Sequence, residues 1–116
     1  MNILVVIPVD DLRKLVVNLF RKGGHRVFDA IDYEEGLKGA QVYDLDLVIT
    51  SIKMPEHSGF ELIREIAPKK PHTRFMFMRR RHDWGDPEVP ADVEALVLPG
   101  DLMSRKDTWI KALLPD

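Results

Sequence analysis

The sequence predicts an α/β domain in which one parallel sheet is covered by helices on both faces. Short apolar segments alternate along the chain with longer segments whose apolar residues recur at helical spacing, which is the pattern of a doubly wound fold. The first apolar segment, residues 3–6, contains no polar residue, as expected of a strand that helices cover on both sides. With 116 residues, 45% of them hydrophobic and 31% charged, the chain is expected to form one domain over residues 1–116.

Composition and charge exclude several classes of function. The formal net charge of −2 creates no field that would recruit nucleic acid or an anionic membrane. Cysteine is absent, which excludes disulfides, thiolate zinc sites and cysteine nucleophiles. The four histidines show no spacing typical of metal ligands. The N-terminal apolar segment is too short for a signal peptide or a membrane span, which predicts a cytoplasmic protein.

Five strands are expected, and signals for helix ends lie between the first four of them. The strands are residues 3–6, 26–30, 47–50, 75–78 and 95–98. Asp10 is predicted to cap the first helix, and Gly23 and Gly24 are predicted to end it. Asp32 and Ser58 are each followed three residues later by a glutamate, so capping boxes are predicted to open the second and third helices.

The helical pattern weakens in two places. The second helix is expected to be short, running only through Leu37. Between the fourth and fifth strands, Pro87 and Pro90 cannot sit comfortably inside a helix. The fourth helix is therefore expected to be short, irregular or absent, while a last helix is expected around Trp109 and Leu113.

Right-handed crossovers between these strands favour the flavodoxin-like strand order 2-1-3-4-5. In that order, ligands bind beyond the carboxyl ends of strands one and three, where the winding changes direction. The positions to inspect are therefore Ile7 and Pro8 after strand one, Ser51 to Lys53 after strand three, Arg79 after strand four and Leu98 after strand five.

The segment DLDLVITSIKMPEHSGFEL, residues 44–62, resembles the phosphorylation loop of response-regulator receiver domains of the CheY-like superfamily. In that family a buried strand ends in the aspartate that accepts phosphate, and a Met-Pro pair and a helix-opening glycine follow. Here these are Met54-Pro55 and Gly59, and the acceptor position is Ser51. The resemblance covers residues 1–66 almost without gaps and the rest of the chain more loosely.

The resemblance also implies that the other functional positions have changed. The acidic pair that holds magnesium in the family falls on Ile7 and Pro8, which offer no carboxylate oxygen to the metal. The hydroxyl residue after strand four falls on Arg79, the phosphoryl-binding lysine after strand five on Leu98, and the aromatic switch residue on Ala95. The chain is thus expected to be a degenerate pseudo-receiver with no metal, no cofactor and no enzyme activity.

The function expected from this combination is phosphorylation-independent protein–protein interaction in two-component signal transduction. A fold that is kept while its site is replaced most plausibly works through a surface. A signalling protein is the expected partner, and homodimerisation is left open. Trp84, in the irregular segment after strand four, is the candidate interface residue because tryptophan is a common interface anchor. The alternative left open is that Trp84 folds back to cover the edge of the core.

Two alternatives remain open from the sequence. The first is a module that binds an anion, a nucleotide or nucleic acid through Arg79, Arg80 and Arg81 with Lys53, since guanidinium groups grip phosphate well. The same arginines could simply be solvated and paired with nearby acids, and nucleic acid is otherwise not an expected partner. The second alternative is an active receiver in which Asp10 or Asp11 holds the metal.

Overall fold

The computed structural model describes residues 1–78 and the backbone of residues 95–98. Its elements, in chain order, are β1 (Asn2–Val6), α1 (Asp10–Lys22), β2 (Arg26–Ala30), α2 (Tyr33–Val42), β3 (Leu47–Ser51), β4 (Lys53–Met54), β5 (His57–Ser58), α3 (Gly59–Ile66), β6 (Arg74–Met78) and β7 (Ala95–Leu98). The expected fourth and last helices lie outside the described residues. None of the described helices is long and apolar enough to cross a membrane.

Five parallel strands form the main sheet in the order β2-β1-β3-β6-β7. Since β6 and β7 are the predicted fourth and fifth strands, the predicted order 2-1-3-4-5 is confirmed. Thr50 pairs with Val6 of β1, and Ser51 pairs with Met78 of β6. The carboxyl ends of these strands therefore meet at one edge of the sheet, where the fold class binds ligands.

Two hydrophobic cores lie on opposite faces of the sheet. Because side chains alternate along a strand, β1 sends Ile3 and Val5 into one core and Leu4 and Val6 into the other. The first core contains the buried residues of α1, including Phe20. The second contains the buried apolar residues of α2 and α3, which are Ala40, Phe60, Leu62, Ile63 and Ile66. Helix α1 thus covers one face and helices α2 and α3 cover the other.

The start of α1 differs from the prediction. Val9 occupies the N-cap position, with φ −77° and ψ 115°, and no side chain caps the helix there. Asp10 is instead the first helical residue, and its carboxylate forms an ion pair with Arg13. Prediction of Asp10 as the cap was therefore wrong, because a buried guanidinium attracts this carboxylate. The helix ends as predicted, with Gly23 at the C-cap and Gly24 at φ +88°, a conformation that glycine adopts without cost.

The predicted capping residues of α2 and α3 are confirmed. The Asp32 side chain accepts a hydrogen bond from the Glu35 N–H at 2.9 Å, and the Ser58 hydroxyl accepts one from the Glu61 N–H at 3.2 Å. Helix α2 continues past the expected end to Val42. The extension packs on β1, where a Cβ at Gly39 would lie 3.1 Å from the Leu4 side chain. Tertiary packing thus lengthens a helix whose local signal is weak.

Candidate functional site

The carboxyl end of β1 presents an apolar residue where the resemblance places an acidic one. The Ile7 side chain is fully buried in the core on the α1 face. Its N–H donates to the Ala30 carbonyl of β2 at 3.1 Å. Ile7 therefore extends the packing of the sheet and directs no polar side-chain atom to the edge.

Arg13 of α1 binds the carbonyl oxygen of Ile7. Its Nη1 donates to that oxygen at 2.9 Å, its Nη2 contacts Asp10 Oδ1 at 2.6 Å, and its Nε contacts Asp29 Oδ2 at 3.2 Å. The Arg13 side chain is only 9% exposed, whereas those of Asp10 and Asp29 are 70% and 50% exposed. The hydrogen bond to Asp10 raises the pKa of Arg13 despite the opposing effect of burial. A buried guanidinium that is paired with two carboxylates therefore lies beside the end of β1.

Sequence reasoning missed the role of Arg13, although a signal was present. The residue lies three, four and seven positions before Val16, Val17 and Phe20, which are all buried on the same face of α1. A charged residue on an apolar helical face is rarely buried without a partner. The pattern could have indicated that Arg13 is buried and paired, but its partners come from other elements.

Ser51 ends β3 and lies in close contact with the start of α3. Its side chain is partly exposed, and its carbonyl oxygen accepts a hydrogen bond from the Thr50 hydroxyl at 3.1 Å. The Gly59 N–H donates to the Ile52 carbonyl at 2.7 Å. A Cβ at Gly59 would overlap the Ser51 carbonyl oxygen. The predicted helix-opening glycine thus has a steric reason, because only glycine lets the helix approach the strand end this closely.

A small hairpin lies between Ser51 and Gly59 that the sequence analysis did not predict. Strands β4 and β5 pair antiparallel, Lys53 with Ser58 and Met54 with His57. The turn residue Glu56 has φ 65°, a left-handed conformation that glycine usually occupies. Strands of two residues show no periodicity, so this hairpin could not be read from the pattern.

The hairpin is attached to α2 by an aromatic contact. The rings of His57 and Tyr33 stack with centroids 4.0 Å apart and an interplanar angle of 17°. His57 Nδ1 also forms a 2.7 Å hydrogen bond with Glu61 of α3. Burial, followed by the negative charges of Glu65 and Glu61, raises the pKa of Tyr33, which therefore stays a neutral phenol. These contacts hold the β3–α3 loop against the start of α2.

A cleft of about 480 Å³ opens at the carboxyl edge between the loops that follow β1, β2 and β3. We call it the acidic cleft. Within the described part of the chain, it is lined by Pro8, Asp10, Ile31, Asp32, Tyr33, Glu34, Pro55, Glu56 and His57. Four of these side chains are carboxylates and none is a lysine or arginine. Among the described positions after strands one and three that the sequence analysis singled out, Pro8 lines the cleft, whereas Ile7, Ser51 and Lys53 do not.

The remaining predicted positions are described only in part. Leu98 ends β7, and its backbone pairs with that of Met78. Lys53 is an exposed residue of β4. The arginine run of residues 79–81 and Trp84 lie outside the described residues, so the anion-binding alternative and the Trp84 interface stay predictions. Within the ranges 1–78 and 95–98, no three His, Asp or Glu residues cluster in a way that could hold a metal ion.

Comparisons with known proteins agree with this architecture. The family model described as the response regulator receiver domain matches residues 3–93. The transcriptional regulatory protein SpaR of Bacillus subtilis is 33% identical over 67 residues, which are 58% of this chain and 30% of SpaR. The chain therefore corresponds to less than a third of that relative's length.

Solved structures show the same fold over nearly the whole chain. The response regulator TrrA of Thermotoga maritima, in complex with Mg²⁺ and BeF, is 28% identical with a TM-score of 0.80, over 97% of this chain and 98% of TrrA. TrrA in complex with the histidine kinase ThkA is 27% identical with a TM-score of 0.78, over 97% of each chain. The chain belongs to the family of response regulator receiver domains, the modules of two-component signalling.

Proposed function

We propose that this receiver domain signals by binding a protein partner and does not accept a phosphoryl group. TrrA was observed in complex with the histidine kinase ThkA, and receiver domains generally interact with such signalling proteins. The proposed partner of this chain is likewise a signalling protein. Unlike a receiver that is switched by phosphorylation, this domain is proposed to signal through binding itself, without aspartyl phosphorylation or bound magnesium.

The contact between Arg13 and the Ile7 carbonyl is the observation that carries this proposal. From the resemblance to the family, the positions of the magnesium ligands correspond to Ile7 and Pro8 in this chain. Ile7 is buried and its carbonyl oxygen already accepts a 2.9 Å hydrogen bond from the Arg13 guanidinium. A divalent cation at this position would lack carboxylate ligands, because Ile7 and Pro8 offer none and the Asp10 carboxylate is already paired with Arg13.

The chemistry of Ser51 supports the proposal independently. A hydroxyl group needs an adjacent base before it can attack phosphorus, whereas a carboxylate does not. The histidine nearest in the sequence, His57, lies in the hairpin and stacks on Tyr33, and it forms no hydrogen bond with Ser51. Ser51 is therefore proposed to be a small polar residue that ends β3 and not a nucleophile.

Acetyl phosphate provides the test. The purified domain would be incubated with acetyl phosphate and Mg²⁺, and intact-mass spectrometry would be used to detect a phosphoryl group, with TrrA treated in parallel as the positive control. We expect no added mass on this chain, and no amide chemical-shift changes with Mg²⁺ and beryllofluoride. Acid-labile phosphorylation that requires Mg²⁺ and is lost in Asp10→Asn or Asp11→Asn would contradict the proposal and would favour an active receiver with displaced ligands.

A further inference from the structure

We propose that the acidic cleft is the docking site for an arginine or lysine side chain on the protein partner. The inference rests on the proposed function, since it specifies the chemistry of the partner. It differs from the anion-binding alternative that the sequence left open for this edge of the sheet, which rests on residues 79–81 and stays a prediction. The cleft walls that the structure describes carry carboxylates, so they would attract a cation and repel a phosphate group.

Two of the four cleft carboxylates are available to a ligand. Asp10 is paired with Arg13, and Asp32 caps α2 by accepting from the Glu35 N–H. Glu34 and Glu56, in contrast, have no hydrogen bond or ion pair to any described residue, and both are exposed. They lie on different elements, Glu34 in the first turn of α2 and Glu56 in the hairpin turn. A cation held between them would connect α2 to the hairpin.

The walls between these carboxylates suit a long cationic side chain better than a bare ion. The stacked rings of Tyr33 and His57 present an aromatic surface, on which a guanidinium group can stack. Ile31, which is 45% exposed, offers an apolar surface for the methylene groups of arginine or lysine. The cleft volume of about 480 Å³ is also in the range of organic ligand sites. The combination of apolar wall and acidic rim therefore matches a side chain with a stem and a charged end.

The conformation of Glu56 allows this role to be separated from folding. At φ 65° a non-glycine residue is strained, and glycine would adopt this conformation more easily. Glu56→Gly is thus expected to raise the melting temperature of the domain while it removes one cleft carboxylate. A variant that folds more stably but binds more weakly cannot be explained by unfolding.

The experiment uses two short peptides as probes of the cleft. One is an acetylated and amidated Ala-Arg-Ala-Arg-Ala peptide, and the other carries citrulline in place of arginine, which keeps the shape of the side chain and removes its charge. Each is titrated into the ¹⁵N-labelled domain at low salt. We expect saturable amide shifts at residues 31–34 and 56–57 with the arginine peptide only, and weaker binding as salt screens the charges.

Substitutions then assign the binding to the cleft. Glu34→Gln and Glu56→Gly are each expected to lower the arginine-peptide affinity by about threefold, as for a partly exposed ion pair. Asp11→Asn is the matched control, because it removes one negative charge from the first turn of α1 without touching the cleft. The affinity of the Asp11→Asn variant for the arginine peptide is expected to equal that of the wild type.

Four results would overturn the inference. The first three are binding of neither peptide, equal binding of the citrulline peptide, and equal loss of affinity in Asp11→Asn. The fourth is tighter peptide binding when residues 79–81 are all changed to alanine, which would mean that the chain's own arginines occupy the cleft. The acetyl phosphate assay keeps this test separate from the proposed function. A phosphorylated domain that still binds the arginine peptide would refute only the proposed function, whereas an unphosphorylated domain that binds neither peptide would refute only the cleft inference.

Discussion

The first residue of α3, Gly59, lies so close to the carbonyl oxygen of Ser51 that a Cβ at position 59 would overlap it. The same Cβ would lie 3.1 Å from Phe77 Cε1 of the neighbouring strand. This contact joins the end of β3 to the start of the helix that follows it. The spacing between strand and helix at this edge therefore depends on a glycine.

Gly59→Ala is expected to destabilise the domain by about 2–3 kcal/mol, the upper part of the range for overpacking. Alanine favours helix by about 1 kcal/mol relative to glycine, but this gain is smaller than the clash because the Ser51 carbonyl is a backbone atom and cannot rotate away. Urea unfolding measures the difference. Gly23→Ala is the control, since φ is −77° there and its Cβ would meet no atom closer than 3.3 Å. A Gly59→Ala variant as stable as the wild type would refute the steric argument.

Arg13→Met is expected to lower the free energy of unfolding by about 2 kcal/mol. The substitution leaves the buried Ile7 carbonyl without its donor, and a buried group without a partner costs about 1–3 kcal/mol. The lost ion pairs contribute less because Asp10 and Asp29 are exposed.

Lys69→Met provides the matched control for Arg13→Met. Lys69 pairs with Glu65 on the surface of the domain, with both side chains more than half exposed, and its loss should change the stability by less than about 0.5 kcal/mol. Equal effects of the two substitutions would mean that the buried hydrogen bond to Ile7 does not stabilise the fold.

His25 is expected to make the stability depend on pH. Burial and, secondly, the positive charge of the N-terminus lower the pKa of His25 in the folded state below its ordinary value of about 6.5. The folded state therefore favours the neutral ring, so this stabilisation is complete above about pH 6.5 and is lost as the pH falls through the folded pKa. Urea unfolding at several pH values should show a weaker loss of stability on acidification in His25→Gln than in the wild type.

Acetylation of the N-terminus provides a control for the cause of this shift. The Met1 amine lies 3.0 Å from His25 Nδ1, and acetylation removes its charge. The pKa of His25, followed by NMR, should rise but stay below about 6.5, because burial is the larger cause. Full return to the ordinary value would show that the terminal charge, and not burial, lowers the pKa.

Ser51→Asp is expected not to restore phosphorylation by acetyl phosphate. The substitution supplies a carboxylate at the end of β3, but Ile7 and Pro8 still offer no carboxylate to magnesium, and Arg13 still binds the Ile7 carbonyl. Intact-mass spectrometry after incubation with acetyl phosphate and Mg²⁺ checks this. A phosphorylated Ser51→Asp domain would mean that the replacement of Ser51 alone silences the site.

Local signals in the sequence determined the sheet and most of the helix ends. The predicted strands agree with the observed ones to within one residue at each end, and the cap residues Asp32 and Ser58 act as predicted. Gly59 was placed correctly because the resemblance marked it as the residue that opens a helix. Apolar runs and capping patterns depend on residues near one another in the chain, so they can be read directly.

Only the tertiary structure decided how the edge of the sheet is built. Arg13 contacts residues that follow β1 or lie in β2, and these contacts made Asp10 an ion-pair partner instead of a helix cap. The acidic cleft likewise combines Asp10 of α1, Glu34 of α2 and Glu56 of the hairpin turn. Charges and surfaces formed by residues distant in sequence depend on how the elements pack, and no local pattern records them.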